Sequence, residues 1–311
     1  MTNTPFANGR LLVVAFEGWN DAGEAASGAV RSLKEQLDVY PIAEVDPEDY
    51  FDYQFNRPVV SHDDEGNRSL TWPSVAIYGP SRPNAKPPES IAADAELQLS
   101  ANNKSNIFLL LGTEPSRSWK AFTRDVLETV TENGITSIVF LGAMLADVPH
   151  TRPISVFTSS ENSDVRSALG IERSNYEGPV GILSVLGQAA EKAGIRTMSI
   201  WASVPHYVHN APSPKATLAI IDKLEEIVDV VIPRGDLVTE AADWENGIDA
   251  LAGEDDDMTS YIEQLERARD TVDAPEASGE AIAQEFEKYL RRGDDKPDSG
   301  SAGDEPWRGK D

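Results

Sequence analysis

Short, wholly apolar runs alternate along this chain with longer stretches in which apolar residues recur every three or four positions. Leu11 to Phe16 has the length and composition of a buried strand, and Asp21 to Leu37 carries the helical period. Val39 to Val45, Val75 to Tyr78, Ile107 to Leu111, Ile135 to Leu141, Ile154 to Thr158 and Arg196 to Val204 read as further strands. Arg117 to Glu132 sets Trp119, Phe122, Val126, Leu127 and Val130 on one helical stripe, with Gly134 as its stop. Val180 to Ala193 reads as a helix that begins at a GPxG turn, and Pro214 to Val230 as one with Leu218, Ile221, Leu224 and Val228 on one face. Ala92 to Leu99 is a further helical candidate. Arg57 to Ser61 and Arg68 to Trp72 flank DDEGN, which has the length and glycine of a hairpin loop. Apolar strands between amphipathic helices predict an α/β fold: a mostly parallel or mixed central sheet with helices on both faces. The hairpin is then a protrusion or an antiparallel edge.

Beyond Gly235 the pattern changes. Met258, Tyr261, Ile262 and Leu265 predict one short amphipathic helix, and Ile282, Phe286, Tyr289 and Leu290 another. The run EDDD (Glu254 to Asp257) suits the first helix's N-terminus. Helices this short need a surface to dock on. From Gly293 the chain is poor in apolar residues. The predicted division is an α/β domain over 1–237 with a hairpin insertion near 57–72, an acidic helical appendage over 238–292 and a disordered tail over 293–311.

Charge sharpens this division. The net charge of the 311 residues is −26, and Glu240 to Asp311 holds 22 acidic and 8 basic residues. Such a surface repels phosphate backbones and anionic lipid, so neither nucleic acid nor membrane is an expected partner. There are no cysteines, which removes disulfides, thiolate metal sites and a cysteine nucleophile and fits a reducing interior. No apolar run approaches the roughly 20 residues of a membrane span, and the N-terminus lacks a basic-then-apolar leader. The expected location is the cytoplasm.

In an open α/β sheet, ligands bind beyond the carboxyl ends of the strands. Four loops there collect the polar residues. They supply Glu17, Trp19, Asn20 and Asp21; Glu114, Arg117 and Trp119; Asp147, His150 and Arg152; and His206, Tyr207 and His209. The turn GWNDAG matches neither dinucleotide nor P-loop spacing, and the residue types favour Asn20 or Asp21 as a helix cap. His206 and His209 with His150 or Glu114 have zinc-ligand chemistry, but they lie in a proline-rich loop, where histidines tying loops together is the simpler reading. His150 or His206 beside Glu114 or Asp147 has the makings of an acid–base pair. Arg152 in HTRP has two readings, gripping a ligand carboxylate or pairing with Glu114 or Asp147. Ser184 in GILSVLG does not match a nucleophile elbow. Trp19, Trp119, Tyr176, Trp201 and Tyr207 lie near loops or strand ends; exposed together they would make a sticky rim, and buried they are simply core.

Five ordered motifs carry a resemblance: GWNDAG, LLGTEPSRSW, LGAMLADVPHTRP, YEGPVGI and SIWASVPHYV. Together, over about Arg10 to Leu237, they resemble the proteasome-assembly-chaperone-2 family, actinobacterial branch. The resemblance implies a phosphorylase/hydrolase-like α/β fold, homo-oligomers and kinship with proteins that escort proteasome subunits, and it supplies no catalytic mechanism. Archaeal relatives can carry a C-terminal hydrophobic–Tyr–any-residue anchor, whereas Arg308 to Asp311 here has none of that pattern.

Two functional expectations follow. The first is a non-catalytic, homo-oligomeric, chaperone-like protein with a protein partner, no metal and no cofactor, and an interaction rim of Trp19, Asn20, Trp119, Tyr176 and Tyr207. The second is a small-molecule hydrolase or transferase with Glu17, Asp21, Glu114, His150, Arg152, His206 and His209 converging on one pocket.

Overall fold

The structure, a computed structural model, describes residues 5–6, 9–63, 65–80, 106–209, 211–228 and 231–273. The helical candidate at Ala92 to Leu99, the helix expected around Ile282 to Leu290 and the tail from Gly293 lie outside these residues.

Alternation along β1 (Arg10–Glu17) sets the layering. Leu11, Val13 and Ala15 point into one apolar core, while Leu12, Val14 and Phe16 point into another on the opposite face. Seven strands share the sheet in the order β2-β5-β6-β1-β7-β9-β8. They are β2 (Val39–Glu44), β5 (Val75–Pro80), β6 (Ile107–Thr113), β7 (Ile135–Ala146), β8 (Val156–Ser159) and β9 (Arg196–Pro205) around β1. The centre, β6-β1-β7-β9, is parallel, and the flanks β2/β5, β5/β6 and β8/β9 are antiparallel. The sheet is therefore mixed.

One core is closed by α1 (Ala25–Gln36), and the other receives Tyr50 from α2 (Pro47–Tyr50), together with Phe51. α3 (Trp119–Glu132) adds Phe122, Val126 and Val130 to that second core. α4 (Ser163–Leu169) is a short edge helix capped by the Asn162 side chain. α5 (Ile182–Lys192) covers the second core, and α6 (Pro214–Val228) covers the first with Ile220, Ile221 and Leu224. β3 (Val59–His62) and β4 (Arg68–Thr71) form a separate two-stranded hairpin.

α7 (Leu237–Ala252) is a helix that the apolar pattern does not announce. Its buried residues are Leu237, Ala241 and Ala252, too small and too sparse to print a stripe. α8 (Asp256–Asp273) follows and buries Ile262 and Leu265. Asp255 caps it, its Oδ1 accepting from the amides of Asp257 (2.9 Å) and Met258 (3.1 Å). Both helices lie against the α/β layers through the contacts described next.

Candidate functional site

Because β6, β1, β7 and β9 are parallel, the four polar loops share one rim. They divide there into two fastenings.

The first lies beyond β1 and β6. The chain leaves β1 through a turn with Gly23 and Glu24 both at positive φ (58° and 49°). A Cβ on Gly23 would also meet the Ser213 side chain at 2.9 Å. The Asp21 carboxylate reaches past the turn, and its Oδ1 accepts from the amides of Ala26 (2.8 Å) and Ser27 (3.0 Å) in the first turn of α1. Asp21 thus caps the helix, as its residue type predicts, from four residues before its start. Its Oδ2 is buried with no hydrogen-bond partner among the described residues, and burial raises the pKa of the group.

Glu114 does the same for α5. Its Oε1 accepts from the Ile182 amide (2.8 Å) and from Asn20 Nδ2 (3.3 Å), and burial raises its pKa. A carboxylate belongs at a helix N-terminus, where orphan amides concentrate positive potential. The helix starts at Ile182, two residues later than the apolar pattern places it, at the amide that Glu114 accepts from. Gly181 makes the joint possible: a Cβ there would stand 2.1 Å from Asn20 Nδ2 and 2.7 Å from Glu114 Oε1. Glu17, half-exposed, pairs with Arg31 (2.5 Å) and accepts from Thr113 Oγ1 (3.3 Å). Three of the recognisable motifs therefore meet in one knot.

The second fastening lies beyond β7 and β9. His150 is fully buried. Its Nδ1 and its backbone amide both lie 2.8 Å from the Tyr207 hydroxyl, and its Nε2 lies 3.0 Å from Asp249 Oδ1 on α7. Burial lowers the His150 pKa against the opposing pull of Asp249, and burial pushes Tyr207 up to about 12. Lys215 bridges the His150 carbonyl and Glu245 of α7, each at 2.5 Å. Arg152 lays a fork on Asp270 of α8 (2.7 and 2.8 Å) and reaches Glu266 (3.2 Å). It pairs with neither Glu114 nor Asp147. His206 Nδ1 stands 3.1 Å from Asp147 Oδ1, within ion-pair range but without hydrogen-bond alignment, and its ring packs edge-on to Tyr207 and Tyr261. His209 is exposed and its Nδ1 contacts the His206 carbonyl at 2.8 Å.

The seven polar residues named from the sequence are thus distributed between two fastenings. Among the described residues, no group of three or more His, Asp or Glu is placed to hold a metal ion. The partners of the second fastening, Asp249, Glu266 and Asp270, escape a reading of strand-end loops because they come from later helices. Glu266 and Asp270 do stand four apart on one helical face, which is the available sequence signal.

Of the aromatic rim, Trp19 and Tyr176 project into solvent, 64% and 63% exposed. Asn20 is buried in the knot, Trp119 donates its indole N–H to the Pro115 carbonyl (2.5 Å), and Tyr207 is held by His150. Met144, Leu145 and Val180 are also exposed, on segments whose backbones adjoin the Asn20 turn. The segments adjoin because the Ala143 amide donates to the Asn20 carbonyl (2.8 Å) and Gly181 abuts Asn20. Trp19, Met144, Leu145, Tyr176 and Val180 are the crest, the exposed apolar side chains that these segments carry. No helix among the described residues is long and apolar enough to cross a membrane.

Comparison with known proteins gives a family match, "PAC2 family", over residues 15–252. A PAC2 family protein of Streptomyces avermitilis is 38% identical; the match covers 81% of this chain and 99% of that one, with a TM-score of 0.68. A proteasome-assembly chaperone homologue of Mycobacterium tuberculosis is 37% identical over the same shares, with a TM-score of 0.67. PbaA of Pyrococcus furiosus, an archaeal homolog of proteasome-assembly chaperone, shares the fold at 16% identity, covering 86% of this chain and 98% of its own (TM-score 0.52). Comparison with curated proteins yields no match.

Proposed function

The chain belongs to the PAC2 family, and from that premise we propose that it is a homo-oligomeric, chaperone-like protein of the cytoplasm that works by binding protein through its crest. The observation that carries this reading is the division of labour at the rim. Glu114, His150 and Arg152 are engaged with distant parts of the chain, while the rings of Trp19 and Tyr176 project into solvent, the Tyr176 hydroxyl donating only to the nearby Pro179 carbonyl (3.0 Å). Side chains committed to capping helices and bridging loops are not poised to bind and turn over a small substrate. Exposed aromatics bordered by polar residues have the composition of a protein-binding surface. The likeness to a proteasome-assembly chaperone homologue supports a protein partner.

Intact-complex mass spectrometry under native conditions tests the reading. One defined oligomer, carrying no additional small-molecule mass, is the expected result. A strict monomer in dilute solution, or a retained small molecule lost on changing His206 and His209 to Ala, would overturn it.

A further inference from the structure

An open groove of about 450 Å³ runs along α6. One wall is a single face of that helix, because its lining residues, from Lys215 through Leu218 and Ala219 to Glu226, recur at three- and four-residue steps. Pro153, Ile154 and Val156, at the entry to β8, form the other wall. Ile154, Val156 and Leu218 are half-buried and pack on the first core, so the floor is apolar. The charged groups of the lining already have partners. Lys215 has Glu245 and Lys223 has Glu226, each at 2.5 Å, and Asp222 has Arg234 at 2.6 Å. An apolar face laid in the groove would therefore strand no charge.

The chain itself leads to this groove. In the last turns of α8, Arg269 donates to Ser155 Oγ (2.5 Å), which sits between the lining residues Ile154 and Val156. Asp270, beside it, takes the fork of Arg152, the neighbour of Pro153. The helix ends at Asp273, and residues 274–311 follow. Their sequence carries an apolar stripe at helical spacing: Ile282, Phe286, Tyr289 and Leu290, at i, i+4, i+7 and i+8. Ser278 and Glu280 before it, and Arg291, Arg292 and Gly293 after it, are the start and stop signals of a helix. A helix this short needs a surface for its apolar face. As a helix, Ile282 to Leu290 spans about 12 Å, and the α6 wall from Lys215 to Glu226 about 16 Å. The link from Asp273 to Ile282 reaches up to about 30 Å, so the stripe can lie along the whole groove.

We infer that the groove is the docking site of the chain's own C-terminal segment, with Ile282, Phe286 and Tyr289 seated between α6 and the Pro153–Val156 wall. The mode is an amphipathic helix laid in a groove and anchored at i, i+4 and i+7. Docking fastens the chain beyond α8 to the same loop that Arg152 and Ser155 already tie to α8. The inference is independent of the crest. An outside helix with the same stripe has to displace the tail before it can bind here.

The chain has no cysteine, so introduced thiols report on the groove without background. In the full chain, Ala219→Cys should react slowly with iodoacetamide, and at least tenfold faster once Phe286→Asp and Tyr289→Asp are added. Oxidation of the Ala219→Cys, Phe286→Cys variant should close a disulfide within one chain, read by mass spectrometry as a single chain lighter by two hydrogens. The Ala219→Cys, Gln284→Cys variant, whose second thiol lies on the face opposite the stripe, should stay reduced. Equal alkylation rates with and without the two aspartates would overturn the inference. So would disulfides that join two chains, which would place a neighbour's tail in the groove, or disulfides that form equally in both variants.

Discussion

The two ends of the rim solve the same problem with different materials. Beyond β1 and β6, the loops are held by residues of the α/β layers themselves: Asp21 caps α1, and Glu114 caps α5 while gripping Asn20. Beyond β7 and β9, the loops are held by reaching outward, with His150 on Asp249, Lys215 on Glu245 and Arg152 on Glu266 and Asp270. The first end is complete without the C-terminal helices. The second is held by them, and they in turn are held by its basic groups. The acidic excess of α7 and α8 acquires a use there, because acids must come from elsewhere to meet the basic residues of the HTRP loop and Lys215.

The largest effect should come from the tighter end. Gly181→Ala places a methyl group where Asn20 and Glu114 already stand, and overpacking of this kind costs about 2–3 kcal/mol. A urea titration should show that loss as a lowered midpoint with the slope unchanged. A variant as stable as the parent would mean that the joint opens easily.

The two ends should also answer pH with opposite signs. Burial raises the pKa of Asp21 and Glu114 in the folded chain. Their contribution to stability is then fully present below their unfolded values and lost as pH rises through the folded ones, so acidification from neutrality favours the knot. His150 is lowered by burial, and Asp270 is lowered by the hydrogen bonds of Arg152. The His150 contribution is fully present above the usual histidine value of about 6.5 and is lost as pH falls through its lowered folded value. The Asp270 contribution follows at the lower pH of carboxylates. Between pH 7 and 5, exchange protection, corrected for intrinsic rate, should fall across Leu237–Asp273 while the Ile182 amide keeps its own. A parallel loss at both ends would erase the distinction.

The smallest effect belongs to the crest. Trp19→Ser and Tyr176→Ser remove exposed side chains that fasten little, and surface changes of this kind stay within about 0.5 kcal/mol. A large stability loss would show that the crest is part of the fold's packing.

Much of this was legible in the residues, and the reasons differ by region. The strands of the sheet announce themselves because apolar runs such as Leu11 to Phe16 are buried on both faces. The hairpin follows from DDEGN. Capping by Asp21 follows from residue type, although its reach across a strained turn does not. Glu114 could be placed on the rim but not assigned to α5, because its partner, the Ile182 amide, is 68 residues away and carries no side-chain signature. α7 was illegible because its buried residues, Leu237 and two alanines, are too widely spaced to mark one face. The partners of His150 and Arg152 were illegible because long-range charge pairing leaves no local period.

The most direct measurement is site-resolved hydrogen exchange on the full chain, comparing wild type with the Arg152→Glu, Lys215→Glu variant at neutral pH. Protection should fall across Leu237–Asp273 and the loops that carry His150 and His206, while the amides of Ala26, Ser27 and Ile182 exchange as in the parent. Faster exchange of those three amides in step with α7 and α8 would contradict a rim with two independent fastenings.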